Sequence, residues 1–564
     1  MQYDTSKHLT YNVLMMHSEN LTDMNEHITL GALPLAVGAS FLSGIQGNKA
    51  VCLPRTRTSL LESMVEWSHD LSSQNIFLLD GMAGTGKSTI SRTLSRTFAA
   101  NGALGATFFF NRGIDDCNNI SKFFSTIAAD LGTRLSTIAR KISDVLREDP
   151  AIYHKNAEIQ FKELVFNPLA KLFMESNRTH PVILIIDALD ECHSPDIGIL
   201  VDILSKIPFE TVPGLKILIT SRPDFHAREE LQILRQHCQR FTLDQIPASM
   251  IKNDITIFFE CELAKIRHKF NMSVDNSMKL DEMWPQDTTL RELVDMATPL
   301  FIIASTVCLF LAHRQLGPPD RQLAKILRDP DRFQATKLDF VYDTVLNQQI
   351  SEDLTENEKM TICAEFHAII APIIVLRNPL PVPVLSAVLN IDHGSIRYRL
   401  SFLSSVLNIP YSDDAPITLF HLSFREFLLD TDKRGKTVFW VDDRANHMTL
   451  FGHCLRLLQY LDHDLYSLWL SGAINRHSIN EVLRPEMQYA CVNWVYHVKS
   501  SGSLLTDEGP THLFLKTHFL HWLEALSLLG KSTSAVELIT TLKQQVHVSK
   551  RLFIMSNSLS FYRK

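Results

Sequence analysis

The chain has 564 residues, 45% of them hydrophobic and 21% charged, which is the profile of folded globular domains and length enough for several of them. Lys and Arg number 55 against 62 Asp and Glu, a net charge of -7, and this argues against whole-chain attraction to nucleic acid or anionic lipid. The 9 cysteines stand singly with no C-x-x-C pair, as reduced thiols do inside a cell, and the start MQYDTSKHLTYN has no secretory pattern.

Residues 1–50 are weakly patterned, with a Gly/Ala/Ser-rich stretch from Leu30 to Gly47, and are expected to form a loosely attached lead-in. From Cys52 to Asp224 short apolar runs alternate with longer amphipathic segments. The runs Ile76–Leu79, Ala106–Phe110, Val182–Ile186 and Leu215–Thr220 read as strands covered on both faces, and the gaps between them suit helical crossovers of a parallel sheet. After Pro223 helical periodicity takes over, best in Asp254–Arg267 and Leu290–His313, with joints at Pro318-Pro319 and Asp329-Pro330-Asp331. A mixed stretch over 338–430 includes a hairpin around Asp413-Asp414. Helical stripes return at Leu450–Leu461 and His518–Leu529. The most apolar run, Leu300 to Ala312, is shorter than the roughly 20 residues a bilayer requires, so no membrane span is expected.

The first strand runs into Gly81-Met82-Ala83-Gly84-Thr85-Gly86-Lys87-Ser88, which satisfies G-x-x-x-x-G-K-[ST]. Glycines at Gly81, Gly84 and Gly86 let successive N–H groups converge on a phosphate chain. The helix expected from Thr89 adds its N-terminal dipole to the same anion. Lys87 would reach the β- and γ-phosphates, and the Ser88 hydroxyl would ligate Mg²⁺. The partner acid follows on Val182-Ile183-Leu184-Ile185-Ile186-Asp187, an apolar strand ending in a carboxylate suited to hold the metal. Asp190 and Glu191 come directly after, and one of them can orient an attacking water. The fourth strand ends Thr220-Ser221-Arg222-Pro223. There Arg222 is either a γ-phosphate sensor or a surface ion pair.

With these motifs the chain resembles the fungal NACHT-type, STAND-class P-loop NTPases of the vegetative-incompatibility group, whose core is also called nephrocystin-3-like. The resemblance starts at Cys52-Leu53-Pro54-Arg55-Thr56-Arg57 with Trp67. It continues through the glycine loop, Phe108-Phe109-Phe110-Asn111-Arg112-Gly113, Asp187–Cys192 and Thr220–Pro223. Farther on it takes in Phe420–Leu428, similar to a winged-helix signature, then Tyr489-Ala490-Cys491 with Trp494 and His497, and His521–Leu526. It implies a NACHT core over 51–235, a helical domain over 236–330, a winged helix over 331–435, a second helical domain over 436–545 and a divergent tail over 546–564. It also implies ATP/ADP with Mg²⁺, GTP remaining open, bound by Gly81, Met82, Ala83, Gly84, Thr85, Gly86, Lys87, Ser88, Thr89, Pro299 and His421. The metal would fall to Ser88 and Asp187. Asp190, Glu191 and Arg222 would serve the chemistry, and His421 would contact the β-phosphate of ADP in a closed state. Arg55 departs from the Gly or Asn usual at its position, and Leu552–Lys564 resembles nothing in the group.

The implied activity is a cytoplasmic signalling switch, ADP-closed and ATP-open, with slow hydrolysis, homo-oligomers on activation and effector-protein partners. The alternatives are a remnant that binds nucleotide without sensor or effector, an ordinary P-loop enzyme, and a nucleic-acid binder using Arg397 and Arg399. A net-acidic chain gives the last little support, and no nucleic-acid partner is expected.

Overall fold

The computed structural model describes residues 30–41, 43, 49–175, 180–223, 234, 237–327, 337–350, 354–461, 480, 483–503, 505–506 and 509–545. They fall into two compact units: the first runs to His268 and takes in Asp281–Ser305, and the second comprises Lys269–Leu280 and the chain from Thr306 onward. The joint at Asp329–Asp331, the tail 546–564 and most of the lead-in lie outside the described residues.

The first unit is built on a five-stranded parallel sheet of β1 (Ile76–Asp80), β2 (Leu104–Phe109), β3 (Val182–Asp187), β4 (Leu215–Ser221) and β5 (Cys238–Thr242), in the order β2-β3-β4-β1-β5. Alternation of side chains divides the apolar core between the two faces. On one face Phe77, Leu79, Ile183, Ile185 and Leu218 meet Leu60, Met64 and Trp67 of helix Thr58–His69, and Ile90, Leu94 and Phe98 of helix Lys87–Ala100. On the other, Ile76, Leu78, Phe108, Leu184, Ile186 and Ile219 meet helices Phe123–Arg134, Ser136–Glu148, Asn167–Glu175 and Ser194–Ser205. Both faces are dry, which is why the strands read as unbroken apolar runs.

Two expectations change. The lead-in is not loose where it is described. Leu30, Leu33, Ala36 and Ala39 are buried in the core, the Ala36 N–H donates to Thr126 Oγ1 at 3.0 Å, and the Phe109 N–H of β2 donates to Ala39 O at 2.8 Å. Ser40 Oγ donates to the Asp130 carboxylate at 2.7 Å. Small residues let this segment lie close against β2, an edge strand, whose backbone groups would otherwise be open. The helical stripe Leu290–His313 is also two helices, Asp287–Ala297 and Phe301–Leu311, because Pro299 cannot continue the hydrogen-bond ladder.

The second unit is predominantly helical. Helix Glu356–Val375 starts on a capping box in which Thr355 and Glu358 bond each other's backbone N–H. Helices Val382–Leu389 and His393–Ser401 then lead into the antiparallel pair β6 (Leu407–Asn408) and β7 (Thr418–Leu419), which brackets the turn expected at Asp413-Asp414. Helices Leu422–Leu429, Asp443–Leu458, Pro485–Ser501, Pro510–Leu528 and Ser532–Gln545 follow. Trp494 and Trp522 meet edge to face at 5.2 Å in their core, and the Trp522 indole donates to Cys491 O at 2.8 Å. Beside them His447, His497 and Tyr489 are buried in a row. His447 Nδ1 and His497 Nδ1 are 2.8 Å apart, and His497 Nε2 lies 2.8 Å from the Tyr489 hydroxyl. Among the described residues no helix is long and apolar enough to cross a membrane.

Candidate nucleotide site

Parallel register sets the site. Leu79 lies opposite Thr220 and Asp80 opposite Ser221, while Ile186 lies opposite Ile219, so β1, β4 and β3 end at the same edge of the sheet. The glycine loop leaves β1 there and turns into helix Lys87–Ala100. Gly84 and Gly86 sit at φ of 80° and 97°, where a side chain is disfavoured. A Cβ on Gly84 would also stand 2.2 Å from Ile302 Cγ2, and the Ile302 N–H donates to Gly84 O at 3.1 Å. The segment after Pro299 is thereby packed on the loop. Gly81, Met82, Ala83, Thr85, Ser88 and Thr89 complete the loop and the first helical turn, with Thr85 Oγ1 donating to Met82 O at 2.8 Å.

Lys87 folds back on the loop, its ammonium donating to Gly81 O and, at 2.9 Å, to Met82 O. Burial pulls its pKa below the ordinary lysine value, against the opposing pull of Asp190 and Asp187. An anion in the loop would supply the charge that these carbonyls replace only in part.

Asp187 ends β3 almost wholly buried, and its Oδ1 accepts from Ser91 Oγ and from Thr220 Oγ1, each at 2.7 Å. Both bonds fall on one oxygen. The other is left for a cation, and the Ser88 hydroxyl stands on the helix turn beside Ser91. Mg²⁺ keeps most of its coordination for water and phosphate, so one carboxylate and one hydroxyl suit it. Consistently, the described residues contain no group of three or more His, Cys, Asp or Glu able to hold a metal by themselves.

Ala188, a non-glycine residue at φ 55°, opens the acid loop and donates its N–H to Thr220 Oγ1 at 2.8 Å. Asp190 is engaged by Arg222 twice, through the Arg222 N–H at 3.2 Å and through its guanidinium at 3.1 Å. Burial nevertheless raises the Asp190 pKa, opposed by Lys87 and Arg222. Glu191 accepts at Oε2 from the Arg112 N–H at 3.1 Å, and burial together with the Asp190 charge pushes its pKa up to about 7.

Several participants were not foreseen. Arg57 is buried in left-handed backbone. Its guanidinium donates to Thr85 O at 3.3 Å, lies 5.0 Å from the Phe301 ring and pairs with Asp254 at 3.7 Å. Lys49 and Arg92 are within electrostatic reach of Asp187. Arg57 and Arg112 lie in stretches of motif quoted above, but only their neighbours in space reveal what they hold.

His421 belongs to the second unit, where it caps helix Leu422–Leu429: its Nδ1 accepts the Ser423 N–H at 3.2 Å and lies 2.6 Å from Ser423 Oγ. Phe424 and Phe427 pack on Tyr342. Arg399 is buried and paired with Glu365 and, at 3.3 Å, with Gln349, while Arg397 pairs with Asp413. Neither is a free contact for a phosphate backbone.

Residues 55–222 match the family model described as nephrocystin 3, N-terminal. Over 510 residues, 85% of this chain, the sequence is 24% identical to vegetative incompatibility protein HET-E-1 of Podospora anserina. The chain covers 35% of that protein's length, so it spans about a third of this relative. Among solved structures, a Signal Transduction ATPase with Numerous Domains protein with a tetratricopeptide repeat sensor, from Pyrococcus horikoshii, aligns over 88% of this chain and 64% of its own at 13% identity and a TM-score of 0.37. Cdc6p of Pyrobaculum aerophilum aligns over 66% of this chain and 93% of its own at 12% identity and a TM-score of 0.29. Residues 55–222, which hold the glycine loop and the acid-tipped β3, are thus a nephrocystin-3-like segment, and together with the likeness to HET-E-1 they support a NACHT-type P-loop core.

Proposed function

We propose that the protein is a nucleotide-operated signalling switch that binds ATP or ADP with Mg²⁺, hydrolyses ATP slowly and differs in conformation between the two. The carrying observation is the shared sheet edge, where Lys87 and the loop amides meet Asp187, the Arg222–Asp190 pair and Glu191. The loop amides and Lys87 take the phosphates. Ser88 and Asp187 would hold Mg²⁺, which would supply neutralisation of phosphate charge. Glu191 accepts the proton of a water whose oxygen bonds to the γ-phosphorus as the bridging P–O bond breaks, its electron pair leaving with ADP. Arg222, parked on Asp190, is placed to exchange that carboxylate for a γ-phosphate, which gives the two nucleotides different contacts.

The finer reading extends this to cytoplasmic self/non-self signalling, with homo-oligomers forming on activation and effector proteins downstream, and its support is the likeness to a vegetative incompatibility protein. In it the 331–435 region acts as a winged helix whose His421 contacts the β-phosphate of ADP. A charge-assisted contact of this kind contributes about 1.5–3 kcal/mol, so His421→Leu should release ADP roughly tenfold to a hundredfold faster. The off-rate and the melting temperature are measured on the same variant. A lower melting temperature with an unchanged off-rate makes His421 a helix cap alone. Nucleotide binding with no change of conformation or oligomeric state between ADP and ATP leaves the reading of a nucleotide-binding remnant without sensor or effector. Multiple turnover with transfer to an acceptor other than water favours an ordinary P-loop enzyme.

A further inference from the structure

We propose that Arg112 is a positioning residue that grips the acid loop and aims the Glu191 carboxylate at the attacking water; this rests on the hydrolysis proposed above. Phe109 of β2 lies opposite Asp187, and the Phe110 N–H donates to Asp187 O at 3.0 Å, so the chain leaving β2 is carried alongside the acid loop. At Arg112 it makes two bonds. The backbone N–H donates to Glu191 Oε2 at 3.1 Å, and the guanidinium donates to Asp190 O at 2.8 Å. One residue therefore holds the carbonyl of one acid and the carboxylate of the next.

The loop needs such a grip. It begins at Ala188 in left-handed backbone, a conformation unfavourable for a non-glycine residue and kept where the surroundings enforce it. From the β4 side, Thr220 and Arg222 hold Ala188 and the Asp190 carboxylate. From the β2 side, Arg112 holds the remainder. Asp190 is paired with Arg222 here; were Arg222 to turn to a γ-phosphate, the bared Asp190 charge would make Glu191 the more basic neighbour, so the water is assigned to Glu191, whose Oε2 takes an N–H donor. The charges acting on Glu191 include Asp190, Arg222, Arg112 and Lys49, and the Arg112 N–H and guanidinium both draw its pKa down. Arg112 is itself exposed, so its truncation empties no core.

The test uses the full chain with Mg²⁺ and ATP, comparing wild type, Arg112→Ala and Arg112→Lys. Arg112→Ala keeps the backbone N–H to Glu191 and removes the guanidinium bond that holds the Asp190 carbonyl, so the acid loop loosens and kcat should fall by about tenfold with KM nearly unchanged. Affinity for a non-hydrolysable ATP analogue and the melting temperature should stay at wild-type values. The acid limb of the kcat profile should move to higher pH. Arg112→Lys should recover only part of kcat, because an ammonium lacks the planar fork. Wild-type kcat in Arg112→Ala overturns the proposal alone. So does a loss of kcat matched by equal losses of affinity or melting temperature, which marks a structural role. A wild type that binds ATP without hydrolysing it overturns the hydrolysis reading and this inference together.

Discussion

In the first unit the buried carboxylates of Asp187 and Asp190 and the half-buried ammonium of Lys87 act on one another as charges; in the second, His447, His497 and Tyr489 are buried as neutral groups bonded in a row. The first arrangement is incomplete in its own terms. Burial still depresses the pKa of Lys87 and raises that of Asp190, so neither is compensated by its neighbours. The second closes on itself. One ring must donate and the other accept across the Nδ1–Nδ1 contact, and no added proton improves it. Burial thus means opposite things: a site that an anion and a cation would complete, and a core in which a charge on His497 is unwelcome.

Three changes probe this contrast. Glu191→Gln removes the acid that, among the described residues at the sheet edge, takes a backbone N–H where Asp80 and Asp190 take cations and Asp187 takes hydroxyls. Hydrolysis should fall by about a hundredfold to ten-thousandfold while Mg-ATP still binds, as single-turnover kinetics and equilibrium titration would report. Hydrolysis persisting in this variant would return the task to Asp190. Lys87→Ala leaves the loop without its cation and should weaken ATP binding by about 2–5 kcal/mol, read with a fluorescent analogue, with the fold intact. Unchanged affinity would dissociate the loop from phosphate.

The smallest effect is the most gradual. Burial, with the charge of His447 next, lowers the pKa of His497 from 6.5 to about 3. The unfolded chain then takes up a proton below 6.5 that the folded chain refuses until about 3, so the contribution of this group is whole above 6.5 and is lost as pH falls. Stability to urea should drop by up to about 1.4 kcal/mol per pH unit across that window, followed by tryptophan fluorescence. His497→Gln should flatten the slope. A wild-type midpoint constant from about pH 7 to about pH 4.5 would show that the pair is not acid-labile.

The sheet edge was legible because its parts are local: a glycine loop between strand and helix, and a carboxylate at the end of an apolar run. Strand β5 escaped because Cys238 is its only fully buried residue, while Gln239 and Arg240 are exposed, and the run CQRFT carries no apolar pattern. The packing of residues 30–41 escaped because Ala, Gly and Ser spell flexibility in isolation, although small residues are what fits against β2. Arg112 and Arg57 escaped for a third reason. Their partners, Glu191 and Asp254, are distant in sequence, and only the strand order brings them together.

The contact between Ile302 and Gly84 has a mechanical side. Ile302 sits in the space a side chain on Gly84 would need and bonds the same residue's carbonyl, so the loop and the start of helix Phe301–Leu311 cannot move independently. That helix continues past Ser305, where the chain passes from the first compact unit into the second. A side chain at position 84 would be refused twice, by its own backbone angle and by the space that Ile302 already fills.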